Sequence, residues 1–186
     1  FQHYINKNWN GGVYATPTLM GSKSGGLIAS SWASLLYIGN INYKKYANEI
    51  RKNLLLIKNK FADNKDIKVI GNPDLNIIAF KSENLNIYSI ISNMKKKGWN
   101  LTVMQYPASF HLCLTKLHTH NVCINFCNQL QLSINEVKKN KDDKLEGTLS
   151  LYGSSKMLKS SFFIDEIIHD FIFLLSRNKI SNRYKI

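Results

Sequence analysis

Between residues 64 and 138 the hydrophobic pattern changes period repeatedly, and turn residues mark the changes. Two short runs rich in β-branched and aromatic residues, 67–70 and 76–80, flank the tetrapeptide Gly71-Asn72-Pro73-Asp74. Proline lacks the N–H a strand ladder needs, so this spacing predicts two strands joined by a turn. An amphipathic helix is predicted near 86–97 and stops at Gly98. Strands follow near 99–104 and 110–115, and a helix over about 119–138 closes the unit. The order β-β-α-β-β-α favours a small antiparallel sheet with helices packed on one face.

The chain before this unit reads differently. Residues 1–23 carry turn chemistry in Gly11-Gly12, Pro17 and Gly21, with Trp9 and Tyr14 between them. From Ser24 the residues Leu27, Ile28, Trp32, Leu35, Leu36 and Ile38 follow helical spacing until Gly39-Asn40 stops the run. A second helix is predicted over about 42–62, with Tyr46, Ile50, Leu54, Ile57 and Phe61 on one face. After the unit, 138–144 reads as a charged linker. Residues 147–153 and a helix near 160–176 form a terminal extension. The expected division is therefore 1–62, 63–140 and 141–186.

Charge narrows the functional classes. The chain has 25 Lys+Arg against 12 Asp+Glu, a formal net charge of +13. Arginine stands only at Arg51, Arg177 and Arg183, whereas bidentate reading of phosphate or guanine favours arginine. The scattered lysines, mixed with many asparagines, describe a solvated surface rather than a nucleic-acid interface. Three cysteines, Cys113, Cys123 and Cys127, form no even framework and suit a reducing compartment. No signal peptide opens the chain. The most apolar stretch, 162–175, carries Asp165, Glu166, His169 and Asp170 and cannot span a bilayer. Any membrane anchor is expected outside this sequence. The chain opens at Phe1 on residues that read as the middle of a fold, so a fragment of a longer protein is expected.

Chemistry concentrates at residues 21–26, GSKSGG, immediately before a predicted helix. Exposed N–H groups, the positive helix end, two hydroxyls and Lys23 make a phosphate site there. The residues match neither a Walker loop nor GxGxxG, and a capping loop with no ligand fits them equally well. His111, His118, His120 and the cysteines invite a metal reading. No companion carboxylate or CxxC pair completes a site, so no metal is expected and buried thiols with structural histidines account for them.

The run WNGGVYATPTLMGSKSGG at 9–26, followed by SSWASLLYIGN, resembles the block that follows the cofactor lysine in sphingosine-1-phosphate lyases, group II pyridoxal-phosphate-dependent decarboxylase relatives. The similarity continues in order through GNPDLNIIAF, KKKGWNL, SFHLCLTKLHTH and LYGSSK. It implies an α/β chain, comprising the end of the large domain and the C-terminal α+β small domain of a fold type I, aspartate-aminotransferase-like enzyme. It further implies pyridoxal 5'-phosphate as cofactor and a homodimer whose active sites lie at the interface.

By the same resemblance, Gly21 and Ser22 reach a cofactor phosphate held mainly by the partner subunit. Lys23 stands where the family usually has arginine; it keeps the charge but lacks the guanidinium fork. Tyr14 is placed near the substrate channel, with packing on Trp9 or Trp32 as its ordinary alternative. Tyr152 matches a tyrosine pointing toward the active site, where it holds substrate or donates a proton; an ordinary buried tyrosine is the alternative. His111 reads as structural.

The family's cofactor lysine stands in a His-Lys pair upstream of the matched block, and no such pair occurs in these 186 residues. The lysine, the ring-stacking aromatic and the acid at the pyridine nitrogen are thus expected before Phe1, and these residues alone are not expected to be a working enzyme. The implied reaction is cleavage of the Cα–Cβ bond of a sphingoid base 1-phosphate to a long-chain aldehyde and phosphoethanolamine. Eukaryotic members are anchored in the endoplasmic reticulum with the catalytic part in the cytosol; bacterial members lack the anchor. Three alternatives stand beside this reading: a related pyridoxal-phosphate amino-acid decarboxylase, a non-catalytic truncated homologue, and a basic module binding anionic membrane or nucleic acid.

Overall fold

A computed structural model describes residues 4–6, 14–16 and 22–139, together with 166, 167, 169, 170, 173 and 174. Two three-residue strands, β1 (Tyr4–Asn6) and β2 (Tyr14–Thr16), pair antiparallel with Tyr4 opposite Thr16 and Asn6 opposite Tyr14. Turn chemistry alone had marked this region in the sequence, because strands this short show no period.

A long helix, α1 (Gly25–Lys60), follows, and a non-helical Gly39 at φ 69, ψ 161 divides it. The two helices expected from the sequence are therefore present as the two halves of α1, divided at Gly39, the expected stop. Its second half docks on the domain through Leu54 and Ile57, with Phe61 just beyond its end, three of the five residues assigned to that face. Its first half does not: Leu27, Ile28, Trp32, Leu35 and Leu36 are all exposed.

Beyond α1 the expected order appears nearly residue for residue. Strands β3 (Lys68–Val69) and β4 (Ile77–Lys81) form a hairpin. Helix α2 (Ile87–Lys96), strands β5 (Thr102–Met104) and β6 (Ser109–Cys113), and helix α3 (His120–Lys139) complete the unit. The sheet order is β3-β4-β6-β5, antiparallel throughout.

Local chemistry fixes the ends of α2. The Asn86 side chain accepts from the Tyr88 N–H at 3.0 Å, an N-cap bond. At the other end Gly98 adopts φ 89. Its N–H donates to the Lys95 carbonyl, and the Trp99 N–H donates to the Met94 carbonyl, the paired bonds of a Schellman turn. Glycine is needed there because that φ strains any side chain.

The core lies between the sheet and the helices. Phe80 faces Phe110 across β4 and β6, with ring centroids 5.3 Å apart, while Val69 and Val103 extend the row onto the edge strands. Phe61 meets Phe80 edge-on at 5.6 Å, tying α1 to the sheet. Trp99 meets Phe126 edge-on at 5.1 Å, and its indole N–H donates to the Gln129 side chain, tying the β5 approach to α3. Leu54, Ile57, Ile90, Met94 and Leu130 fill the layer between.

Truncating Phe80 removes the ring that touches both Phe61 and Phe110. Phe80→Ala should cost about 3–5 kcal/mol, the range for emptying a buried aromatic site. A urea melt followed by far-UV circular dichroism measures it; an unchanged midpoint would show that the ring is not part of the core.

Candidate functional site

The residues singled out at 21–26 stand at the amino end of α1. Ser24 is the N-cap with extended φ −66, ψ 127, and its side chain makes no capping bond. Its carbonyl accepts from Leu27 N–H at 3.1 Å and Ile28 N–H at 3.3 Å. No acidic residue stands in the first turn, and residues 22–26 are exposed. Among the described residues, a Cβ built on Gly25 would meet nothing within 4 Å, and one on Gly26 only the Ser24 hydroxyl at 3.6 Å. None of the described residues thus crowds the Gly25 and Gly26 N–H groups, which stand beside the Ser22 and Ser24 hydroxyls and the Lys23 ammonium. A helix end of this composition is suited to an anion in general. The next hydroxyls do not compete for it: Ser30, Ser31 and Ser34 donate to the carbonyls of Gly26, Leu27 and Ser30 on their own helix.

Of the other assigned residues, Tyr14 lies on β2 opposite Asn6 and is about half exposed. Trp32, one of its two ordinary packing alternatives, is 64% exposed. Gly21 and Tyr152 lie outside the described residues, as does Trp9.

No group of three or more metal-ligating side chains occurs among the described residues. His118 Nδ1 accepts from the Thr115 N–H at 3.0 Å and lies 3.1 Å from the Thr115 hydroxyl. The His118 carbonyl accepts from Asn53 Nδ2 at 2.7 Å, pinning the β6–α3 loop to α1. His111 lies on the sheet face opposite the Phe110 ring, and partial burial depresses its pKa. An open cleft of about 400 Å3 lies between α1 and this loop, lined by Lys52, Lys116, His118, His120 and Glu49 among others. It was not foreseen, since no sequence motif marks residues that meet only through the packing of α1 on the loop.

The comparisons with known proteins can now be set beside this geometry. No family model matches the chain. It is 33% identical over 173 residues to sphingosine-1-phosphate lyase 1 of Rattus norvegicus, covering 92% of this chain and 30% of that protein. It is 32% identical to the sphingosine-1-phosphate lyase of Saccharomyces cerevisiae, over 92% of this chain and 29% of the other. A probable sphingosine-1-phosphate lyase of Legionella pneumophila is 36% identical over 83% of this chain and 28% of its own length. The chain belongs to the sphingosine-1-phosphate lyase family. A solved sphingosine-1-phosphate lyase from Burkholderia pseudomallei superposes with a TM-score of 0.61 at 26% identity, over 91% of this chain and 35% of that one. The α/β architecture is therefore that of a fold type I enzyme, as the sequence resemblance implied. The chain spans about a third of the length of the relatives it matches.

The thiols give this region a direct check. Cys123 and Cys127 are buried on α3 and Cys113 is exposed. Burial, reinforced by Cys123, pushes the Cys127 pKa up to about 11, and burial raises Cys123 as well. Because the thiolate is the reactive form, both should react with Ellman's reagent at neutral pH at least about tenfold more slowly than Cys113. Equal rates for all three in native protein would contradict the packing of α3; guanidinium should equalise them.

Proposed function

We propose that this chain is the part of a pyridoxal-phosphate-dependent sphingosine-1-phosphate lyase that supplies phosphate contacts and an interdomain face. The observation that carries the reading is the collinear 30–36% identity to sphingosine-1-phosphate lyases over most of the chain. The open amino end of α1 supports it, because its donor set suits a phosphate monoester and carries no acidic residue in its first turn.

Pyridoxal phosphate, when bound, supplies an electron sink for cleavage of the Cα–Cβ bond of a sphingoid base 1-phosphate. The work of this chain is binding and orientation. The Ser22 hydroxyl donates to a phosphate oxygen, and the first-turn N–H groups with Gly21 offer further donors. Lys23 adds a positive charge without the two-pronged geometry of arginine. Tyr14 stands near the substrate, and Tyr152 holds it or donates a proton. The Schiff-base lysine comes from outside residues 1–186.

The apolar strip of Leu27, Ile28, Trp32, Leu35 and Leu36 is too large to leave in water and is the face on which the rest of a relative-length chain packs. The complete protein works as a homodimer, the phosphate being shared across the subunit interface. No helix among the described residues is long and apolar enough to cross a membrane. An endoplasmic-reticulum anchor, where there is one, belongs to another part of the protein.

The test uses the full-length protein reconstituted with pyridoxal phosphate. It should show a visible absorbance band that borohydride bleaches, and should release phosphoethanolamine and a fatty aldehyde. Release of carbon dioxide from an amino acid instead would favour a decarboxylase, and no turnover with any such substrate would favour a non-catalytic homologue. Ser22→Ala should weaken cofactor retention about tenfold, the loss of one charge-assisted hydrogen bond. Unchanged retention would remove the phosphate role from Ser22 while leaving the lyase reading intact.

A further inference from the structure

We propose that Gly39 is a hinge, a joint about which the α+β unit turns relative to the body that carries the first half of α1. The joint has three properties that an accidental kink lacks. First, its backbone stands at φ 69, ψ 161, a conformation open to glycine and strained for any residue with a side chain. Secondly, breaking a helix frees carbonyls that normally accept from the next turn. Here the Ile38 carbonyl is taken up by Asn42 Nδ2 at 2.8 Å, so one of the freed groups is satisfied within the joint itself. Thirdly, among the described residues no atom lies within 4 Å of the place a Cβ on Gly39 would occupy, so they leave room for a rotation there.

The distribution of packing assigns the two halves to different bodies. Every buried residue of α1, namely Asn53, Leu54 and Ile57, lies after Gly39. Residues 25–37 are exposed throughout, and their large apolar side chains wait for another surface. The mechanical boundary thus falls inside α1 rather than at its carboxyl end. Hinges of this kind are a few positions that absorb the φ/ψ change while the elements on either side move rigidly.

The test is a distance measurement by pulsed electron resonance on the full-length protein, so it does not depend on turnover. Spin labels at Ala33→Cys and Asn125→Cys, in a background with Cys113→Ser and any other reactive thiols removed, report across the joint. The hinge predicts a distribution in the otherwise unaltered protein at least about twofold broader than that of a label pair within the unit, such as Lys65→Cys with Asn125→Cys. Gly39→Ala introduces no clash and removes the glycine-only conformation, so it should narrow the distribution toward that of the internal pair. A single narrow distance with Gly39 in place would overturn the hinge, whether or not Gly39→Ala moves it, because Gly39 would then be a fixed elbow. A broad distribution insensitive to Gly39→Ala would also overturn it, by placing the motion elsewhere. The lyase reading is tested by the absorbance band and product release, so the two can fail separately.

Discussion

The pairing of β4 with β6 is the constraint on which the rest of this structure depends. These strands are separated in sequence by α2 and β5, so their ladder closes a long loop before any local contact rewards it. Phe80 against Phe110 repays that entropy, two fully buried rings each worth about 1.5–3 kcal/mol in transfer from water. Once this pair is in place, β3 and β5 add at the edges through Val69 and Val103, and α1 docks by laying Phe61 on Phe80. A one-residue slip between β4 and β6 would send Ile78, Phe80, Phe110 and Leu112 to the opposite face. Register and core are the same decision here.

That dependence explains which parts of the fold were legible in the sequence. Element order was readable because Gly71, Pro73 and Gly98 punctuate the chain with backbone chemistry that needs no tertiary context. The carboxyl end of α2 followed from Gly98 for the same reason, whereas the Asn86 cap at its start emerged from the structure. Strand order was not readable: β4 next to β6 is settled by which apolar faces fit together across the core. The β1–β2 pair escaped because three-residue strands show no alternation. At the site, the hydroxyls, Lys23 and the helix start were visible in the sequence. The naked first turn was not, since only the coordinates show that the Ser24 side chain leaves the N–H groups uncapped. The loop-closing bonds of His118 were hidden for a related reason, as one of its partners, Asn53, is 65 residues away.

Charge has little part in holding the fold. The described ion pairs, Arg51–Asp74, Lys68–Glu83, Lys81–Glu83, Lys97–Glu136 and Lys138–Asp66, lie on the surface, and such pairs contribute about 0–1 kcal/mol each. Hydrogen bonds from Lys68 and then Lys81 hold the Glu83 carboxyl below its usual pKa, on a side chain about half exposed to solvent. With 25 basic side chains against 12 acidic ones, the excess of cations acts on solubility and on the approach of anions rather than on the packing. A phosphate monoester is such an anion, so the bulk charge and the local chemistry of 22–26 favour the same class of ligand.

The position of that local chemistry gives α1 a mechanical meaning. The helix runs from Gly25 to Gly39 with about 1.5 Å of rise per residue, so its amino end stands roughly 20 Å from the joint. On an arm of that length, a rotation of about 10° displaces the end by about 3–4 Å, more than a hydrogen-bond length. Ser22 and the first-turn donors therefore hold their geometry relative to the sheet only while the backbone at Gly39 is held. On the reading proposed above, a surface packed on Trp32, Leu35 and Leu36 fixes the donors relative to itself and not relative to the sheet, because the contacts of the α+β unit begin only beyond the joint. On that reading the apolar strip fixes where the donors stand, and the orientation of the α+β unit is left to a residue with glycine's backbone freedom.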